Sequence, residues 1–212
     1  MEKAIALSLL QIKAIKLSPQ NPFTWASGWH SPIYCDNRKI LSFVDARKLV
    51  ARSFAQIIQS KYADVDVIAG VATGAIAWGL MAAELLDKPF IYVRSAAKNH
   101  GLTNQVEGYF EKGQKVVVVE DLISTGGSSL AAVEALRGQG LQVMGMVAIF
   151  TYGFPVAQSN FQAAGVDLTT LSNYNILIQE AIANNYVQAN ELATLKEWRL
   201  SPETWQANTT DK

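Results

Sequence analysis

The sequence predicts an α/β protein built on a central, mostly parallel sheet flanked by helices, and three observations carry that prediction. The runs "DVIAGV" (66–71), "FIYVR" (90–94), "KVVVVE" (115–120) and "QVMGMVAIFTY" (142–152) are continuously apolar or β-branched rather than alternating, as expected of strands covered on both faces. Helical stretches separate them, "AIAWGLMAAELL" (75–86) and "SSLAAVEALRGQG" (128–140), and strands alternating with helices assemble as a parallel sheet. Half of the 212 residues are apolar, which is enough to fill one core, so a single domain over 1–212 is expected.

The elements follow in order. Ile5, Leu9 and Ile12, with Lys16 a turn later, predict an amphipathic first helix. Lys13 and Lys16 interrupt its apolar patch and no small-residue cleavage site follows, so it does not read as a signal peptide. No run approaches the ~18 apolar residues of a membrane span. The segment 18–39 is rich in Pro, Gly, Ser and aromatics and is expected to be irregular or briefly extended. Ser42, three residues ahead of Asp45, predicts a capping-box start for a helix that carries Leu49, Val50, Phe54, Ile57 and Ile58 on one side and ends near Tyr62. After the regular strand and helix runs, 95–114 has neither a strand nor a convincing helix pattern. Helix 128–140 is stopped by Gly138 or Gly140, and the tail beyond Pro155 is mostly helical, with a possible edge strand near Leu168.

Charge and cysteine usage narrow the function. Eighteen basic against eighteen acidic residues leave no net charge, which removes the broad attraction of a nucleic-acid binder, so an anionic ligand has to be held by a local cluster. The single cysteine, Cys35, excludes an internal disulfide and a Cys-based zinc site, and a reducing, cytoplasmic setting is expected.

In a parallel sheet the strands leave by one edge, and ligands bind there. The loops after Val71, Val93 and Val119 therefore form one constellation. The third, 120–128, holds Ser124, Thr125, Gly126, Gly127 and Ser128 at the start of a helix expected near Ser128, where backbone N–H groups and the helix dipole attract an anion. It is neither GxxxxGK[ST] nor GxGxxG. Glu120 and Asp121 precede it and would repel a bare phosphate, yet carboxylates accept hydrogen bonds from a sugar diol and interact with Mg²⁺ through water. A sugar phosphate is the ligand implied. The second loop carries Arg94, Lys98 and His100 with no acid until Glu107, a cluster able to reach a second anionic group and to close as a lid. Thr73 and Gly74 in the first loop offer either more N–H donors or an ordinary capped helix start.

"VVVVEDLISTGGSS" resembles the signature of type I phosphoribosyltransferases, which bind 5-phosphoribosyl 1-diphosphate. "FTWASGWHSPIYCDNRK", "YVRSAAKNHG" and "NQVEG" are similar to the orotate phosphoribosyltransferase family, and the similarity runs from about Phe23 to Tyr152. It implies a type I phosphoribosyltransferase-like fold with a small N-terminal hood, built from about 1–40 plus C-terminal elements. It further implies transfer of the 5-phosphoribosyl group to orotate, with Mg²⁺ carried on the diphosphate and no metal ligand assigned directly, giving orotidine 5′-phosphate and pyrophosphate in pyrimidine synthesis. By the same resemblance Glu120, Asp121, Leu122, Ile123, Ser124, Thr125, Gly126, Gly127 and Ser128 hold the phosphoribosyl diphosphate, with the two acids on the ribose hydroxyls, and Ser124 also contacts orotate. Arg94, Lys98 and His100 bind the diphosphate and act in catalysis, in a loop that closes over the active site of the other subunit of a homodimer. No nucleic-acid or membrane partner is implied.

Four positions depart from the best-known branch of that family. Ala26, Thr73 and Ser95 stand where lysines are common, and Phe150-Thr151-Tyr152 lacks an arginine. The carboxylate of orotate then needs another partner, His30 or backbone N–H groups. Trp25 and Trp29 either stack on the base or pack the hood. Two other readings compete: transfer to a purine or other base, and a regulatory protein that senses the diphosphate and binds nucleic acid, which the neutral charge disfavours.

Overall fold

The computed structural model describes residues 1–95 and 105–206. Its centre is a six-stranded sheet formed by β5 (Val67–Val71), β6 (Phe90–Val93), β7 (Val106–Glu107), β8 (Lys115–Ile123), β9 (Gln142–Thr151) and β10 (Leu168–Asn173), in the spatial order β10-β9-β8-β5-β6-β7. Every neighbouring pair is parallel except β6 and the short β7. The predicted edge strand near Leu168 is thus β10. β7 lies in the stretch that carried no pattern, because two paired residues are too short to show a period.

Chain direction explains where a ligand can sit. From β5 the chain passes through α3 (Ile76–Leu86) to β6 on one side, whereas from β8 it passes through α4 (Gly127–Gly138) to β9 on the other. Right-handed crossovers running in opposite directions put their helices on opposite faces. The order therefore reverses between β5 and β8, and a crevice opens at their carboxyl ends. α2 (Val44–Lys61) packs against α3, and α1 (Glu2–Gln11) packs against α2, β10 and α6 (Tyr174–Ala183). α5 (Pro155–Ala163) packs beside α4, and α7 (Leu192–Leu200) follows α6.

β8 is longer than its sequence pattern suggested. The segment read as a loop from Glu120 begins as strand: pairing with β5 ends at Gly70 opposite Val119, but pairing with β9 continues through Glu120, Leu122 and Ile123 to reach Thr151. Two carboxylates hid this continuation, since acids are depleted in strands. The turn itself is Ser124, Thr125 and Gly126, and α4 starts at Gly127, one residue before Ser128.

The N-terminal region also differs from expectation. α1 stops at Gln11 and the chain turns through Lys13 at φ 56°. Lys16 therefore lies in β1 (Ile15–Leu17), which pairs antiparallel with β4 (Ile33–Cys35). β2 (Phe23–Thr24) and β3 (His30–Ser31) form a second small hairpin. The Ser42 cap does not form: Ser42 closes a 3-10 turn, Asn37–Ser42, and Phe43 is the N-cap of α2 without a side-chain hydrogen bond. One continuous apolar core runs from Ile5 to Trp205, with Trp78, Trp198, Phe54, Phe150 and Phe154 among its largest buried side chains. Among the described residues no helix is long and apolar enough to cross a membrane.

Candidate active site

The loops after β5, β6 and β8 converge as their parallel strands require. A cavity of about 260 Å³ between them is walled by Ala72, Thr73 and Gly74, by Arg94 and Ser95, and by Glu120, Asp121 and Ser128, among others. Gly74 is needed here, because a Cβ at that position would fall on the Asp121 carboxylate. Thr73 is exposed at the mouth. Arg94 is half-buried in the wall, its Nη1 3.5 Å from Glu107 Oε1, and its N–H donates to Gln105 O at 2.8 Å. Lys98 and His100 lie outside the described residues.

Glu120 and Asp121 share a peptide bond but not an environment. Glu120 is 5% exposed, and its carboxylate is already engaged: Asp121 N–H donates to Oε1 at 2.9 Å and Ser129 Oγ donates to Oε2 at 3.0 Å. Burial, reinforced by the neighbouring Asp121 carboxylate, pushes Glu120 up to about 8. Asp121 is half-buried, lines the cavity, and has its carbonyl fixed by Asn37 Nδ2 at 2.6 Å. Neither Ser129 nor Asn37 carries a functional signal in the sequence. Ser129 was hidden beside Ser128 in a Ser-rich helix start, and only the registry of α4 on β8 shows which of the two faces Glu120. Asn37 lies 84 positions from its partner, a contact that no local pattern encodes.

Beyond Asp121 the chain makes the tight turn and helix start at which the anion cup is expected. Gly126, at φ +85°, is the N-cap of α4, and the first bond of that helix runs from Leu130 N–H to Gly126 O at 2.9 Å. The N–H groups ahead of Leu130 therefore have no carbonyl one turn back. Ser124 and Thr125 are half-buried, and Gly127 and Ser128 are exposed.

A second cavity of about 260 Å³ lies under the N-terminal hairpins, walled by Thr24, Trp25, Ala26, Tyr34, Cys35, Leu122, Ser124 and Tyr152. Leu122 lines both cavities, so they adjoin across it. Among the described residues this second wall holds no cationic side chain. Burial pushes the Cys35 thiol up, helped by the Asp121 and Asp36 carboxylates, and burial does the same to Tyr152. Both groups stay protonated, and the Cys35 thiol donates to Asn37 Oδ1 at 3.3 Å. Trp25 donates from Nε1 to Ile33 O at 3.0 Å and packs on Trp29, Tyr152 and Trp198. Trp198 in turn donates to His30 O at 3.2 Å. Trp25 therefore both packs the hood and walls the pocket. The exposed His30 ring has Nδ1 3.5 Å from Thr24 Oγ1.

Known proteins share this arrangement. The phosphoribosyl transferase domain family matches residues 40–183. The chain is 57% identical over 203 residues to an orotate phosphoribosyltransferase of Porphyromonas gingivalis, covering 96% of this chain and 97% of that one. The chain belongs to the orotate phosphoribosyltransferase family. A relative of that name from Cytophaga hutchinsonii is 55% identical over 204 residues, covering 96% of this chain and 98% of its own. Among solved structures, orotate phosphoribosyltransferase from Aeropyrum pernix superposes with a TM-score of 0.75 at 29% identity, covering 87% of this chain and 99% of that one. The family's type I phosphoribosyltransferase fold is the fold described above.

Among the described residues no three His, Cys, Asp or Glu side chains gather into a metal cage. Glu120 and Asp121 are the two carboxylates in the cavity wall. Asp121, the less buried of the two, is the one placed to meet Mg²⁺, which keeps several waters and takes one or two carboxylates together with substrate phosphates.

Proposed function

We propose that this chain transfers the 5-phosphoribosyl group of 5-phosphoribosyl 1-diphosphate to orotate, releasing pyrophosphate and forming orotidine 5′-phosphate in pyrimidine synthesis. The observation that carries the reading is the junction of two cavities across Leu122, one walled by Arg94, Asp121 and the α4 start, the other by aromatic and neutral polar groups. A diphosphorylated sugar suits the first and a flat heterocycle the second, and the bond to be exchanged then lies between them.

The residues divide the work. The turn Ser124, Thr125 and Gly126, with Gly127 and Ser128, binds the 5-phosphate through backbone N–H groups and hydroxyls. Asp121 accepts hydrogen bonds from the ribose hydroxyls, while Glu120, tied to Ser129 and to the Asp121 N–H, orients it from behind. Ser124 reaches toward the base. Breaking the bond at the ribose anomeric carbon builds positive charge on the sugar and negative charge on the leaving diphosphate. Arg94 faces that charge, and Lys98 and His100 join it from the neighbouring subunit's copy of the loop, an arrangement that lowers the barrier without a covalent nucleophile. When bound, Mg²⁺ carried on the diphosphate near Glu120 and Asp121 supplies further charge against the leaving group. Closure of that loop excludes water, which would otherwise hydrolyse the activated ribose. With no cation in the hood wall, the orotate carboxylate is met by neutral donors there, with His30 at the rim.

The working unit is a cytoplasmic homodimer in which Arg94 lines its own chain's cavity while the loop beyond it, with Lys98 and His100, serves the neighbouring site. Orotate-dependent pyrophosphate release, measured with Mg²⁺ against a panel of purine and pyrimidine bases, tests the reaction. Release driven by a purine but not by orotate would replace orotate as the acceptor. Mixing Lys98→Ala with Asp121→Asn subunits tests the sharing: about a quarter of wild-type activity returns if sites are shared across a two-fold, and none returns if each chain serves itself.

A further inference from the structure

The turn that forms the anion cup has a back as well as a front. Its front lies between the two cavities, and its back rests on α5, none of whose residues lines either one. Two contacts hold it there. Asn160 Nδ2 donates to Thr125 O at 3.0 Å. The buried Phe161 ring stands so near that a Cβ added at Gly126 would lie 2.8 Å from Cε2.

The first contact sets a direction. The Thr125–Gly126 peptide is trans, so its carbonyl and the N–H of Gly126 point to opposite sides. With the carbonyl drawn to Asn160, that N–H is turned away from α5. The lock matters because two glycines follow Thr125, and glycine adopts φ of either sign at little steric cost. A flipped peptide would present a carbonyl oxygen to the phosphate in place of a donor. Phe161 leaves the flip no room for a side chain that might resist it, so the restraint falls to Asn160.

We propose that Asn160 is a positioning residue for the ribose 5-phosphate. It does not touch the ligand; it fixes the peptide plane that aims the Gly126 N–H into the cup. The proposal rests on the reading of this turn as the 5-phosphate site.

The experiment measures ribose 5-phosphate binding by calorimetry, and KM and kcat for both substrates, on the full chain and on Asn160→Ala, Asn160→Asp and Asn160→Gln. Loss of one hydrogen bond predicts a rise of about 5- to 10-fold in the ribose 5-phosphate Kd and the phosphoribosyl diphosphate KM of Asn160→Ala. The orotate KM, and kcat at saturation, should stay within about twofold. Asn160→Asp, whose carboxylate repels the Thr125 carbonyl, should lose more than Asn160→Ala, and Asn160→Gln, which keeps an amide donor, should lose least. Equal ribose 5-phosphate affinity in wild type and all variants would overturn the proposal alone, as would an orotate KM that rises in step with the other. No ribose 5-phosphate binding by the wild type would overturn the cup itself and the proposal with it.

Discussion

The two walls of the site are built by opposite means. The sheet wall hangs from β8, a strand whose residues Val116 to Val119 are wholly buried, and its chemical groups are pinned by hydrogen bonds from Ser129, Asn37 and Asn160. The hood wall hangs from strands of two and three residues and is held by aromatic packing, with Trp198 in ring contact with Trp25, Tyr152, Phe154 and Tyr174. On the proposed function the first wall meets charge and needs directional contacts, and the second meets a flat ring and needs a surface.

The largest expected effect breaks the hood alone. Trp198→Ala removes a fully buried indole and should cost about 3–5 kcal/mol of stability, read as a fall in the midpoint of urea unfolding. In the protein that stays folded at low temperature, orotate KM should rise more than ribose 5-phosphate Kd. An equal rise in both would show that the walls are one unit. Next comes the charge proposed to meet the leaving diphosphate. Lys98→Ala should lower kcat on the order of 100-fold or more with ribose 5-phosphate affinity nearly unchanged; unchanged turnover would remove Lys98 from catalysis.

Asn37 joins the walls, bonded to Asp121 O on one side and to the Cys35 thiol on the other. Asn37→Ala leaves the Asp121 carbonyl without that donor and should cost about 1–3 kcal/mol, with both substrate KM values rising together. A change in one KM only would show that Asn37 serves a single wall. The smallest effect is a slope. Glu120 ionises near 8 in the folded chain against an ordinary value of 4.5, so between those values the folded state binds the extra proton and stability falls as pH rises. Glu120→Gln should flatten the thermal-melting midpoint between pH 5 and 8 while leaving hood behaviour unaltered. A slope identical to wild type would mean that Glu120 is charged throughout.

The sheet wall was legible because its code is local. Four consecutive valines and a Ser-Thr-Gly turn name a buried strand and the turn into a helix within one short stretch, and the two acids beside them carry the proposed diol contact. Arg94 is legible because the parallel order brings the end of β6 to the same sheet edge as the end of β8, with only β5 between them. What escaped was long-range or too short to have a period: Asn37 on Asp121, Trp198 under His30, the two residues of β7, and the four hood strands. The length of β8 was also misread, because acids in a strand make sense only once the cavity that employs them is known. The Ser42 cap failed for a related reason. The 3-10 turn that ends at Ser42 is fixed by Ile40 and Asn37, both buried, so tertiary packing overrode the local signal.

The overhang of β8 beyond β5 has a consequence for what this sheet can become. Past Val119 the strand keeps its partner on the β9 side and, among the described residues, has no strand partner on the other. There the Asp121 N–H and carbonyl, which an added strand would claim, are met instead by the side chains of Glu120 and Asn37. The proposed substrate site thus coincides with an interrupted ladder, a gap of about 13 Å at ~3.3 Å per residue, where a stretch of strand has been left out and its backbone bonds reassigned. Residues inserted between Val71 and Ala75 that let β5 run on would heal the sheet and erase the enzyme, so the brevity of that loop is as much a part of the chemistry as either carboxylate.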